Sequence, residues 1–224
     1  MRKYLYATVA AAALAAAPAA YADIIFSATG GGTGDNILFG AKEQATTITG
    51  FTNMGNTPVT FSTLSGQTLV QPGSGQADIM CAAACINGGS TNTNMQLNSL
   101  EIKIGGGFAA TELISDLNFG EGAFTINVTD QMGATFTFTL GNGSNFFDLT
   151  AINGEVITDV QITDNGTISP AGWNDYKQPR ITVCTLQSNN TCTPVTGVPE
   201  PASLGILGTG LMLLSMLGWK RYRG

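Results

Sequence analysis

The 224-residue sequence contains no histidine. Imidazole is the commonest general base and the usual zinc ligand, so its absence excludes the catalytic triads that use it and most catalytic zinc sites. No serine lies in a nucleophile motif either. The sequence therefore predicts a protein that is not an enzyme and that uses no cofactor and no metal.

Basic residues are scarce as well, with nine lysines and arginines against fifteen acidic residues. Five of the nine lie among the first three and last five residues. The segment 23–197 therefore carries four basic and fourteen acidic residues, a net charge of −10. An acidic segment without a basic patch disfavours nucleic acid and anionic membrane surfaces as partners, so we predict no nucleic-acid partner.

A helical period is missing from residues 23–197, and so is any repeat of fixed length. In its place are short runs in which apolar and polar residues alternate, separated by turns rich in glycine and asparagine. This pattern is typical of half-buried β-strands. It predicts one all-β domain over residues 23–197, an antiparallel β-sandwich of jelly-roll type.

Two hairpins are predicted within this domain. In the first, large apolar residues alternate with polar ones over residues 124–128 and 136–140, on either side of a turn at 130–133. The second is predicted at Asn153-Gly154, a dipeptide favoured in two-residue hairpin turns. Residues 180–184 are predicted to form the last strand, with a loop between Asp164 and Arg180.

The N-terminus has the three parts of a secretory signal peptide. Arg2 and Lys3 are its basic start, residues 5–17 are its apolar core, and Ala20-Tyr21-Ala22 fits the cleavage pattern. Residues 1–22 are therefore predicted to be removed by signal peptidase. The alternative is an uncleaved membrane anchor.

The C-terminus also has three parts. It begins with the tetrapeptide Val198, Pro199, Glu200 and Pro201, followed by 18 uncharged residues, 202–219. A helix of that length rises ~27 Å, enough to cross the hydrocarbon core of a bilayer as a single transmembrane helix. The chain then ends in a basic cluster that contains Lys220, Arg221 and Arg223.

Residues 198–224 resemble the PEP-CTERM sorting signal in the order, spacing and terminal position of these three parts. The resemblance implies recognition of Glu200 and its two prolines by an exosortase-type processing protease. It also implies a transient stay in the inner membrane and delivery to the cell surface or extracellular matrix of a Gram-negative bacterium. Residues 146–183 are similar to the closing part of β-sandwich domains that carry this signal. The alternative is an ordinary single-span anchor.

Four cysteines fall in two local pairs, and export would place them in an oxidising compartment where disulfides form. Their spacings, C-x3-C and C-x7-C, do not match those of zinc sites. Three connectivities are open. Local bridges are favoured over cross-bridges such as Cys85–Cys184; the local pairs are Cys81 with Cys85 and Cys184 with Cys192.

Trp173 and Tyr176 are the only tryptophan and tyrosine of residues 23–197, and Asp175 lies between them. An exposed aromatic face beside a carboxylate can stack on a sugar ring and bind its hydroxyls, so these three residues are candidate glycan contacts. The alternative is structural: Trp173 plugs an open end of the sandwich and Tyr176 caps a strand with its hydroxyl.

The acidic residues leave two further alternatives open. Asp164, Asn165 and Asp175 could supply oxygen ligands to Ca²⁺, although these residue types also form turns. Two carboxylates ~5–10 Å apart could hydrolyse a glycosidic bond without histidine.

The favoured hypothesis is a secreted, non-enzymatic surface or matrix protein that serves adhesion or structure around exopolysaccharide in a biofilm. A carbohydrate-binding module and a secreted glycosidase are the alternatives.

Overall fold

The structure is a computed structural model that describes residues 23–29, 32–82, 96–120, 123–141, 143–165 and 172–195. The predicted signal peptide, Cys85 and the sorting signal with its transmembrane segment lie outside these residues. Within the described ranges, no helix is long and apolar enough to cross a membrane.

Sixteen strands, all paired antiparallel, form the described part of the chain, which confirms the all-β prediction. They are β1 (Asp23–Ser27), β2 (Asp35–Phe39), β3 (Glu43–Ala45), β4 (Thr47–Thr52), β5 (Pro58–Ser62), β6 (Leu69–Gln71), β7 (Gly75–Gln76), β8 (Asp78–Cys81), β9 (Ser99–Ile104), β10 (Phe108–Gly120), β11 (Phe124–Asp130), β12 (Thr135–Leu140), β13 (Gly143–Ile152), β14 (Ile157–Asp164), β15 (Asp175–Leu186) and β16 (Cys192–Pro194).

The strands form two layers. The front sheet has the order β4-β5-β9-β14-β11-β12, and the back sheet has the order β3-β6-β8-β15-β10-β13-β1. Strand β2 joins them by pairing with β4 and β15, and the pairing of Ala110 with Ile157 joins β10 to β14. The two sheets therefore close into a ring of seven strands.

The core fills the space between the two sheets. Aromatic contacts cross it: Phe61 of β5 meets Tyr176 of β15 with ring centroids 6.0 Å apart. At the far end, Phe26 of β1 stacks on Phe138 of β12 at 5.2 Å. Each fully buried side chain of this size contributes ~1.5–3 kcal/mol, so the alternating apolar residues explain why the layers stay together.

The hairpin predicted around residues 130–133 is confirmed. Phe124 pairs with Leu140 and Val128 with Phe136, so the large apolar side chains of β11 and β12 share the inner face. The Asp130 carboxylate accepts hydrogen bonds from the turn amides of Met132 and Ala134, each at 2.8 Å. This is the Asx-type turn chemistry that aspartate provides.

The hairpin predicted at Asn153-Gly154 is wrong, although the turn itself is present. Both residues have positive φ, 58° and 89°, as the dipeptide suggested. However, β13 pairs with β1 and β10, whereas β14 pairs mainly with β11 and β9. A tight turn fixes where the chain reverses but not which strand it joins next, and here it leads from the back sheet to the front sheet.

Candidate functional site

The two candidate aromatic residues are core residues. Trp173 exchanges backbone hydrogen bonds with Leu97, each at 2.9 Å, and its ring meets Phe124 edge to face at 5.4 Å. Tyr176 is part of β15 rather than of a loop. Both side chains are 0% exposed. Trp173 and Tyr176 therefore offer no exposed aromatic face on which a sugar ring could stack, and both side chains pack in the core.

Trp173 Nε1 has no hydrogen-bond partner among the described residues, and the Tyr176 hydroxyl has at most a contact with the Ser115 side chain. Ser115 lies within β10, so this contact does not cap the end of a strand. Burial raises the pKa of this hydroxyl far above its ordinary value, so Tyr176 stays neutral at every physiological pH.

The third candidate, Asp175, belongs to a different group of side chains on the outer face of the back sheet. We call Asp78, Asp116, Asp175 and Lys177 the acidic cluster. Lys177 is opposite Asp78 on one neighbouring strand and opposite Asp116 on the other. Its Nζ lies 2.9 Å from Asp175 Oδ2, an ion pair with a carboxylate that is only 10% exposed.

In this cluster one ammonium group, that of Lys177, lies among the carboxylates of Asp78, Asp116 and Asp175. Burial raises the pKa of Asp78 and Asp116, and repulsion from Asp175 raises each further, while Lys177 opposes the shift. The pKa of Lys177 is raised, mainly by its hydrogen bond to Asp175. Each of the three aspartates also has one buried oxygen without a hydrogen-bond partner in the described structure. The cluster therefore has three carboxyl groups for one ammonium group, and two of these carboxyl groups are harder to ionise than usual.

Two carboxylates of the acidic cluster can be compared with the pair that a glycosidase uses. Asp78 and Asp116 lie two strand spacings apart, roughly 9–10 Å between main chains, near the separation used for glycoside hydrolysis. Lys177 lies between them, however.

A pocket of about 550 Å³ lies away from the acidic cluster, between residues 33–35, 54–55 and 181–183. Its one carboxylate, that of Asp35, accepts a hydrogen bond from the Met54 amide at 2.6 Å.

Metal ligands are not grouped in the described residues, where no set of three or more histidine, cysteine, aspartate or glutamate side chains forms a candidate ion site. Asp164 ends β14, and the amide of Asn165 donates to the Ala123 carbonyl at 3.2 Å. Among the described residues, Asp164 and Asp175 therefore belong to no such set.

The predicted local disulfide between Cys184 and Cys192 is confirmed, with the two Cα atoms 5.5 Å apart. It joins β16 to the end of β15, beside the Leu186–Cys192 strand pair. The cross-bridge between Cys85 and Cys184 is thereby excluded. Cys81 is also disulfide-bonded.

A feature that the sequence did not reveal covers the outer face of the front sheet. Two rows of polar side chains cross all six strands in register, over roughly 24 Å at ~4.8 Å per strand. We call these rows the polar face. They comprise Thr49, Thr60, Lys103, Asp159, Thr129 and Thr135 in one row, and Thr47, Ser62, Glu101, Gln161, Asn127 and Thr137 in the other.

The centre of the polar face is a hydrogen-bonded network around Glu101. Its carboxylate accepts hydrogen bonds from Ser62 at 2.9 Å, Lys103 at 2.7 Å and Gln161 at 3.2 Å. Burial pushes the pKa of Glu101 up, but these partners outweigh it and the net shift is downward. For Asp159, burial and the nearby Glu101 charge raise the pKa. The network fixes an array of donors and acceptors that can bind a hydroxylated ligand.

No family model matches this chain, and neither does any curated protein. Solved mutants of CBM29-2, a family 29 carbohydrate-binding module, are similar at 12–13% identity, over 72% of this chain and 89% of theirs, with a TM-score of 0.26. Oxalate decarboxylase of Bacillus subtilis is similar at 11% identity, over 65% of this chain and 34% of its own, with a TM-score of 0.16. Likenesses at this level do not extend to a ligand or an activity.

Replacing Trp173 tests its role in packing. We expect Trp173→Ala to lower the free energy of unfolding by ~3–5 kcal/mol, because it empties a buried site against Phe124. Thr139→Ala, on the exposed face of β12, is the control and should change it by less than ~0.5 kcal/mol. Urea unfolding followed by circular dichroism measures both. A Trp173→Ala protein of unchanged stability would show that the ring is not a core element.

The acidic cluster predicts a pH-dependent effect of Asp116→Asn. Because the folded-state pKa of Asp116 is raised, its protonated form stabilises the fold, and this contribution is lost as the pH rises through that pKa. The amide mimics the protonated form. Asp116→Asn should therefore stabilise the protein by roughly 0.3–1 kcal/mol at pH 7, with the gain vanishing near pH 3.

Asp175→Asn is the matched substitution within the same cluster. It removes the direct ion pair with Lys177 and should destabilise the protein at pH 7. Thermal unfolding of both variants at a series of pH values gives the comparison. Equal effects of the two substitutions at pH 7 would contradict the charge balance described for the cluster.

Proposed function

We propose that this chain is a non-enzymatic protein of the cell surface or extracellular matrix of a Gram-negative bacterium. Signal peptidase removes residues 1–22, and an exosortase-type protease processes the chain near Pro199-Glu200-Pro201. The observation that carries the proposal is the three-part C-terminus in residues 198–224, preceded at the other end of the chain by a complete signal-peptide pattern.

The disulfide chemistry of residues 23–197, which we call the body, supports export. Cys184 and Cys192 are bridged, and such bonds persist in oxidising compartments outside the cytosol. Both outer faces of the described sandwich carry polar or charged groups, and the body has a net charge of −10. These properties suit a soluble matrix component that serves adhesion or structure near exopolysaccharide.

Glycan binding by the polar face is the second candidate function, and the Glu101 network favours it. Ser62, Gln161 and Lys103 orient donors and acceptors around a carboxylate that is held in place. Hydroxyl groups both donate and accept hydrogen bonds, so a neutral polysaccharide matches this mixture of groups. Glu101 and Asp159 outnumber the single Lys103, which disfavours polyanionic chains.

A secreted glycosidase is the remaining alternative, and the acidic cluster supplies its test. If Asp78 and Asp116 hydrolysed a glycosidic bond, Asp116→Asn would abolish sugar release. In a non-enzymatic protein the same substitution changes stability alone.

Processing is tested on protein recovered from the cell surface and medium by intact-mass analysis. We expect the wild-type mass to lack residues 1–22 and the residues that follow the Pro199-Glu200-Pro201 motif. Glu200→Ala should instead leave the protein in the membrane fraction with Trp219 and Arg223 attached. Glu43→Ala, the same change within the body, should be processed normally. Recovery of wild-type protein that retains Arg223 would refute the proposal.

Glycan binding is tested by affinity electrophoresis in gels that contain neutral polysaccharides. We expect Glu101→Ala to weaken retention at least ~10-fold, because it removes an acceptor held by charge-assisted hydrogen bonds. Glu112→Ala on the back sheet makes the same charge change away from the polar face. Equal retention of the two variants, with folding verified by circular dichroism, would exclude the polar face as the binding surface.

A further inference from the structure

Five strands pair on one side only within the described residues: β1, β3, β7, β12 and β16. The free side of such a strand presents unpaired backbone donors and acceptors, and proteins usually protect it with charges, prolines or short length. Strands β3, β7 and β16 have three residues or fewer, and β16 ends in Pro194. Strand β1 begins with the charge of Asp23.

Strand β12 has none of these protections. Its six residues read Thr-Phe-Thr-Phe-Thr-Leu, without charge, proline, glycine or register shift. Thr135, Thr137 and Thr139 are exposed, and Phe136 and Phe138 are half-buried. Uncharged runs of six β-forming residues are the segments that pair most readily with another strand.

We propose that β12 is a self-association edge, where two copies of this chain pair β12 with β12 antiparallel about a two-fold axis. The strand is complementary to itself. With Thr137 on the axis, Thr135 faces Thr139 of the other copy and Phe136 faces its Phe138. A shift by one residue would set threonine against phenylalanine and reverse the faces, so the alternation admits only shifts by an even number of residues. Among these, the register centred on Thr137 pairs all three threonines of the strand with threonines.

The charge distribution permits this contact although the body is acidic. The charged residues of the polar face lie on β9 and β14, and the nearer of these, Asp159, is two strand spacings from β12, roughly 9–10 Å. Across the interface the two copies of Asp159 are five strand spacings apart, roughly 24 Å, more than the Debye length of ~8–10 Å at physiological salt. Repulsion between the charged residues of the two polar faces is therefore weak at this edge.

The size of the contact sets its strength. An antiparallel pair of five to six residues makes only about four to six interchain hydrogen bonds, so the interface is small and the dimer weak in dilute solution. Pairing would join two front sheets into one sheet of twelve strands, with a polar face that continues across both copies. This inference concerns assembly and does not depend on the export proposal.

Sedimentation velocity of the full chain, kept dispersed in a mild detergent, tests the inference. We expect a reversible dimer with a dissociation constant on the order of 100 µM, strengthened when salt rises from about 20 mM to 150 mM. Thr137→Lys places two like charges on the axis and should weaken the dimer at least tenfold. Thr163→Lys makes the same change two strands away and should leave it intact.

A cross-link provides an independent readout with little effect on folding. Thr137→Cys should form an intermolecular disulfide in mild oxidant, because the two Cβ atoms face each other across the axis. Thr163→Cys should not. A wild-type chain that stays monomeric up to about 1 mM, or a dimer that Thr137→Lys and Thr163→Lys affect equally, would overturn the proposal.

Discussion

The pairing of β10 with β15 is the constraint on which the rest of the structure depends. The two strands pair from Phe108 opposite Thr185 to Asn118 opposite Asp175, with two shifts of register between, and β13 pairs with the other side of β10. The same two strands close the ring of seven strands, because Ala110 of β10 pairs with Ile157 of β14 and β15 pairs with β2. Because β15 alternates, this one pairing sends Tyr176 into the core and its two neighbours to the acidic cluster outside.

Local chemistry determined the features that the sequence predicted well. The hairpin around Asp130 follows from a turn and two flanking alternations, all within seventeen residues. The Cys184–Cys192 bridge likewise closes a short segment, where little chain entropy opposes contact. In both cases the interacting groups are near each other along the chain, so spacing and residue type were sufficient.

Long-range pairing determined what the sequence did not predict. Strand β10 shifts register between Ala110 and Glu112 and again between Ile114 and Asp116. At the first shift the extra residue, Thr111, is in β10 and moves its inward face by one residue, so the strand lacks a continuous period of two and was not recognised; at the second shift the extra residue is in β15. Trp173 illustrates the same limit, because its partners Leu97 and Phe124 are distant in sequence. From the sequence alone, a short segment with two aromatic residues fits an exposed loop as well as a buried strand.

The polar face was hidden for a related reason, and its layout separates the two contacts proposed for it. The sequence reveals which residues of each strand are polar, but the rows form only because the strands lie side by side in the order β5-β9-β14-β11-β12. That order gathers Glu101, Lys103 and Asp159 at the centre and leaves uncharged threonines on β11 and β12. A glycan held by the charged centre and a second copy paired at the threonine edge would therefore not compete. Self-association would instead bring two such centres onto one sheet, where a single long polysaccharide could span both.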